Sequence, residues 1–139
     1  MHKIALAKSD EEIANCFPVT IELRPRLSGV NEFLERVKRQ QANYEYKLAF
    51  LESAAEVKSV AGFRIVECPA YRKTLSLDDL ATRSGERSKG YGQVLFDWVV
   101  NYARENECDE FHLNSGVHRF AAHRFYLQKR MNFICHHSA

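Results

Sequence analysis

The stretch GERSKGYGQVLFDWVV, Gly85 to Val100, decides how the rest of the chain is read. Gly90 and Gly92 stand beside Arg87 and Lys89, and an amphipathic run follows at once. Val94, Leu95, Trp98, Val99 and Tyr102 recur at helical spacing, so a long helix is expected over Gly90–Glu105. The first N–H groups of such a helix have no internal acceptor and carry the positive end of its dipole. Glycine lets the backbone come close to a ligand, and the two basic side chains add charge. A phosphate or pyrophosphate is the natural guest. The usual nucleotide loops do not fit. A Walker loop needs GxxxxGK[ST], and a dinucleotide fingerprint needs a small residue where Leu95 stands. What remains is R-x-x-G-x-G, from Arg87 to Gly92, between a strand and a helix.

The same reading extends in both directions. Residues 4–7, IALA, form a short first strand, and Ser9 with Glu12 makes a capping box. The helix from Asp10 must bend or restart near Pro18 and end near Arg24-Pro25, since proline has no N–H to give. A second helix follows Asn31, with Phe33, Leu34 and Val37 on one stripe. YKLAFLE from Tyr46 and VKSVAGFRIVEC from Val57 read as a hairpin across a short Ala-Ala-Glu turn. Residues 73–82 are a third consecutive strand. Beyond the long helix come a strand at Phe111–Leu113, a helix at Phe120–Lys129 and a last strand at Asn132–Cys135. The order β-α-α-β-β-β-α-β-α-β implies an α/β (α+β) fold. Its central sheet is mixed, mostly antiparallel, with helices on both faces.

The totals agree with one domain over residues 1–139. With 45% hydrophobic and 27% charged residues, the chain has an ordinary globular composition. A formal net charge of +2 gives no argument for nucleic acid or an anionic membrane. No apolar run reaches the roughly 20 residues of a membrane span. The N-terminus turns acidic where a signal peptide would be apolar, so a cytoplasmic location is expected. Cys16, Cys68, Cys108 and Cys135 are scattered and read as free thiols. The histidines lack the i, i+4 spacing of a helical metal pair, and no metal is expected. A basic surface through Arg83, Arg87, Lys89 and Arg124–Arg130 reads as solvated faces, with no helix-turn-helix motif.

Arg87 to Gly92, in this strand order, resembles the [Q/R]-x-x-G-x-[G/A] signature of the GNAT N-acyltransferase superfamily. A second stretch, Ala122 to Met131, is similar to that family's A-x-x-F-Y-x-x-x-G-F motif, with Ala122, Phe125 and Tyr126 in register. Arg130 and Met131 depart from it. The resemblance covers nearly the whole chain and implies acetyl-CoA as co-substrate. Arg87, Ser88, Lys89, Gly90, Tyr91 and Gly92 would bind the pyrophosphate. Leu80, Ala81 and Thr82 would hold the pantetheine arm through their main chain, where the fourth and fifth strands splay.

Acyl transfer from a thioester to an amine needs a neutral amine, a polarised carbonyl and a protonated leaving thiolate. By the resemblance, Tyr126 is the acid; a phenol near pKa 10 lies above a thiol and can donate to a thiolate. A backbone N–H near Leu80 would polarise the carbonyl. For the base, Asp78 and Asp79 are the candidates, and strand alternation sends them to opposite faces. Asp79 is preferred, on alternation with Leu75 and Leu77; Glu67 is a further carboxylate. The acidic pair resembles the E-D of some diamine and polyamine acetyltransferases. The acceptor itself, a small-molecule or protein amine, is expected to be selected by residues 16–45, with Glu22, Arg24 and Arg26 among those able to line its site. His112, His118 or His123 could also line it. A homodimer is expected by habit of relatives. The alternative is a coenzyme A-binding sensor or interaction module that catalyses nothing.

Overall fold

The computed structural model describes residues 2–67, 69, 72–113 and 132–135. The chain begins with β1 (His2–Leu6), α1 (Asp10–Asn15), α2 (Phe17–Leu23) and α3 (Val30–Asn43). Then come β2 (Tyr46–Ser53), β3 (Glu56–Glu67) and β4 (Lys73–Thr82). A short 3-10 turn at Arg87–Lys89 leads into α4 (Tyr91–Glu105), followed by β5 (Glu110–Leu113) and β6 (Asn132–Cys135). The six strands lie in sequence order in one sheet. β1 to β4 pair antiparallel, and β4, β5 and β6 pair parallel. This is the mixed sheet the element order implies. The expected helix at Phe120–Lys129 lies outside the described residues.

Local chemistry sets the helix boundaries. Ser9 accepts from Glu12 N at 3.0 Å while the Glu12 carboxylate takes Ser9 N at 3.0 Å, so α1 starts with a full capping box. The break expected near Pro18 falls at Cys16: α2 restarts at Phe17 with proline in its first turn, where no N–H is needed. Between β2 and β3, Ala54 and Ala55 both take positive φ, +54° and +60°. Two left-handed residues give the tight turn a hairpin prefers, here built without glycine.

The sheet carries a core on each face. On one, α4 places Leu95, Phe96, Val99 and Val100 against Ala49, Leu51, Phe63, Leu75 and Leu77. Phe63, Phe96 and Phe111 are fully buried, each contributing about 2 kcal/mol of apolar transfer. On the other, α1, α2 and α3 bring Ile13, Val19, Phe33 and Val37 over Leu48, Phe50 and Val60.

One irregularity matters for the site. Opposite β3, Gly62 pairs with Asp79 but Phe63 pairs with Leu77, so Asp78 is an extra residue in β4. The bulge breaks the alternation. Leu75, Leu77 and Leu80 all pack toward α4, whereas Asp79 turns to the opposite face. The expected separation of Asp78 and Asp79 is therefore corrected: both carboxylates lie on the α1–α3 side, near Tyr46. Asp79 does not share a face with Leu75 and Leu77.

Candidate active site

Two clefts meet where β4 passes beneath the end of α2. The first, about 560 Å³, runs along Leu80, Ala81 and Thr82 of β4 to Arg87, Gly90, Gly92 and Gln93. Glu22 and Leu23 of α2 close its other side. Six of these residues, Leu80, Ala81, Thr82, Arg87, Gly90 and Gly92, are among those the resemblance names. Ser88, Lys89 and Tyr91 do not line the cleft: Ser88 and Lys89 are exposed on the 3-10 turn, and Tyr91 packs on the α4 core. Gln93, Glu22 and Leu23 were not anticipated as walls. Gln93 follows Gly92 directly, so helix-start geometry could have found it.

Gly90 makes the cleft's end possible. It takes φ +81°, ψ 10°, a left-handed conformation costly for any residue with a Cβ, and it caps α4. Val94 N bonds Gly90 O at 3.1 Å as the first internal bond of the helix. The N–H groups of Tyr91, Gly92 and Gln93 therefore have no acceptor within it. Among the described residues no other acceptor meets them, and they stand at the positive end of a 15-residue helix. The loop before them is tightly braced. Arg87 Nε donates to Thr82 O at 3.2 Å, and its guanidinium stands 3.6 Å from Glu22. Ser84 N donates to the same Glu22 carboxylate at 2.9 Å. The buried Lys58 ammonium lies 3.1 Å from Glu86 and 2.7 Å from Glu56, and Lys89 pairs with Glu86 at 3.1 Å. Lys58, Arg87 and Lys89 are thus each paired with a carboxylate.

Among the described residues, the part of β4 that pairs with β5 is Thr74–Leu77. From Asp78 to Thr82 the strand has no β5 partner among the described residues, so it presents backbone groups along the cleft. An extended amide-containing arm can add to that edge as a strand would. Ser59 pins the opposite side by donating to Ala81 O at 2.8 Å.

The second cleft, about 590 Å³, lies on the α1–α3 face. Its apolar walls include Leu27, Phe33 and Val37. Its polar residues are Thr20, Arg24, Arg26, Arg36, Gln40, Tyr46 and Asp79. Leu23 lines both clefts, so they adjoin at Asp79–Leu80. Arg24 and Arg26 of the α2–α3 connection line it, while Glu22 lines the first cleft. Asp79 is ion-paired with Arg24. Burial pushes its carboxyl above the usual range, against the pull of Arg24, and Asp78 raises it further. Asp78 is instead committed to the sheet: Arg64 grips it with two bonds, 2.8 and 3.1 Å. Of the pair, Asp79 alone lines the cleft.

Tyr46 was not anticipated. Its hydroxyl reaches over Gly62, the one position in β3 where no Cβ stands in the way. Burial, then Asp79 and Asp78, raise its phenol, so it stays protonated. Glu67 sits at the far end of β3 opposite Lys73 and lines neither cleft. His112 bonds Glu110 at 2.9 Å and also lines neither. Cys16 is buried, its thiol pushed up to about 12, which suits packing and not nucleophilic attack. Tyr126, His118 and His123 lie outside the described residues. Among the described residues no helix is long and apolar enough to cross a membrane.

The acetyltransferase (GNAT) family's sequence model matches residues 16–133. The chain is 32% identical over 121 residues to an uncharacterized N-acetyltransferase, YhdJ, of Bacillus subtilis, covering 87% of this chain and 84% of the relative. Among solved structures, a GNAT family acetyltransferase of Staphylococcus aureus superposes with a TM-score of 0.73 at 18% identity, over 86% of this chain and 90% of that one. A predicted acetyltransferase of Clostridium acetobutylicum, solved with acetyl-CoA, gives 0.66 at 16% identity over 91% and 88%.

Proposed function

The chain belongs to the acetyltransferase (GNAT) family, and from that premise we propose that it moves an acetyl group from acetyl-CoA to an amine by direct attack in a ternary complex. The observation that carries the reading is the junction at Asp79–Leu80. On one side lies a strand edge with no β5 partner among the described residues, running to the amides at the start of α4. On the other lies a desolvated carboxylate facing a separate cleft.

The residues divide the work accordingly. The amides at the start of α4 and the Gly90 turn bind the pyrophosphate, and Arg87 adds charge at its side. The backbone of Asp78–Thr82 holds the pantetheine arm and brings the thioester to the junction. The acceptor enters from the Arg24–Tyr46 side. Asp79, raised by burial, takes the proton that the attacking ammonium must lose, directly or through water. A main-chain N–H at Leu80 stabilises the developing oxyanion. Tyr126 returns a proton to the departing thiolate, as the family motif implies. Asp78, held by Arg64, fixes the bulge that turns Asp79 into the cleft. A cytoplasmic location and a homodimer belong to the same reading as proposals.

Purified protein given acetyl-CoA and a panel of amines should release free thiol at a rate that depends on the amine. A Tyr126→Phe variant should slow that release by roughly tenfold or more. Tight acetyl-CoA binding with no thiol release on any amine would instead support a sensor without catalysis.

A further inference from the structure

The acceptor-side cleft has an unbalanced charge. Three guanidinium groups, Arg24, Arg26 and Arg36, face one carboxylate, Asp79. Arg24 is already paired with Asp79. Arg36 meets Glu32 only at 3.5 Å, with both side chains well exposed, a pairing too weak to hold it. Arg26 has no carboxylate partner among the described residues. The acidic pair in the sequence suggested a site for diamines, but Asp78 is paired with Arg64 and does not line the cleft. A dication would meet excess positive charge here.

The geometry points to an acceptor that carries an anionic group, carboxylate or phosphate, a few bonds from its amine: Arg26 and Arg36 hold the anion and the amine lies at Asp79. The assignment rests on the acetyl-transfer reading and names its substrate class. The cleft's volume, about 590 Å³, suits a small molecule. Leu27, Phe33 and Val37 leave room for an apolar body between the two ends. Guanidinium forks match both oxyanions in two-bond geometry. Such an acceptor also competes with Asp79 for Arg24. As the anion draws Arg24 away, Asp79 is left as an unpaired carboxylate beside the amine it must deprotonate.

The test is a charge series at fixed chain length: an amino carboxylate, its neutral amide, an aminoalkyl phosphate and a diamine, each with acetyl-CoA and a free-thiol readout. The anionic amines should exceed the amide and the diamine in kcat/KM by about tenfold or more. The carboxylate and phosphate arms identify which oxyanion is preferred. Arg26→Gln and Arg36→Gln, both exposed positions that should fold, should each shrink the anionic-to-neutral ratio severalfold. A diamine or amide used as well as the anionic amines would overturn the assignment while leaving acetyl transfer intact. If no amine is turned over, thermal shift with the same four compounds still decides it. Stabilisation by the anionic amines that is lost in Arg26→Gln supports the assignment, and equal shifts from all four refute it.

Discussion

Replacing Asp79 with asparagine separates catalysis from stability at one atom pair. Asparagine keeps the shape but cannot accept a proton from an ammonium group. Loss of a general base typically costs 10²- to 10⁴-fold, so kcat/KM for acetyl transfer should fall by about that factor. The fall should shrink as pH rises, because the free amine then needs no base. Stability should move the other way. The Asp79 carboxyl is raised in the folded chain, mainly by burial. A raised acid binds its proton more tightly folded than unfolded. Its protonation therefore favours folding, and stability from this group falls as pH rises from the unfolded value, near 3.9, through the folded one. At neutral pH the ionised Asp79 is a cost, partly offset by Arg24. The variant should thus lie within about 1 kcal/mol of the parent at pH 7, on the stable side. Urea titrations at pH 4 and pH 7 should show the difference between parent and variant widening with pH. Steady-state thiol release across pH supplies the rate. A variant with parental kcat/KM, or one whose stability relative to the parent falls from pH 4 to pH 7, would refute the reasoning.

Gly62→Ala would set a methyl group against the half-buried Tyr46 ring, 2.8 Å from Cζ. Moving the ring should cost about 1–2 kcal/mol and raise KM for the acceptor more than for acetyl-CoA, read by denaturation and paired saturation curves. Replacing Ala54-Ala55 by Asn-Gly should stabilise the β2–β3 hairpin by about 1 kcal/mol, since both positions hold positive φ; the urea midpoint should rise with kcat unchanged. Ser9→Ala removes the α1 cap bond and should lower stability by about 1 kcal/mol, seen as a lower melting temperature.

Much of this fold was readable because each element carries its own period. Val94 to Tyr102 mark α4 by helical spacing, and the three β runs in succession require antiparallel pairing. The first cleft was marked by the family resemblance, which named Leu80–Thr82 and Arg87–Gly92; six of these residues line it together, because a strand, a glycine turn and a helix start follow one another locally. The acceptor side was not local. The bulge at Asp78 depends on how β4 registers against β3, which alternation along one strand cannot show. The partnership of Arg24 with Asp79 spans 55 positions and exists only because α2 ends above β4. Tyr46 enters the cleft because Gly62, on the next strand, leaves it space. Those features arise from tertiary packing, and they turned the assumed faces of the acidic pair.

Calorimetry with acetyl-CoA on the parent and a Gly90→Asp variant, with ATP as the control ligand, tests the central claim most directly. A carboxylate at the left-handed cap of α4 would both strain the turn and repel a pyrophosphate from the helix amides. Binding of acetyl-CoA but not ATP by the parent, weakened by about a hundredfold or more in a folded variant, is the expected result. Equal affinity in parent and variant, or no acetyl-CoA binding by the parent, would contradict the assignment of the cleft.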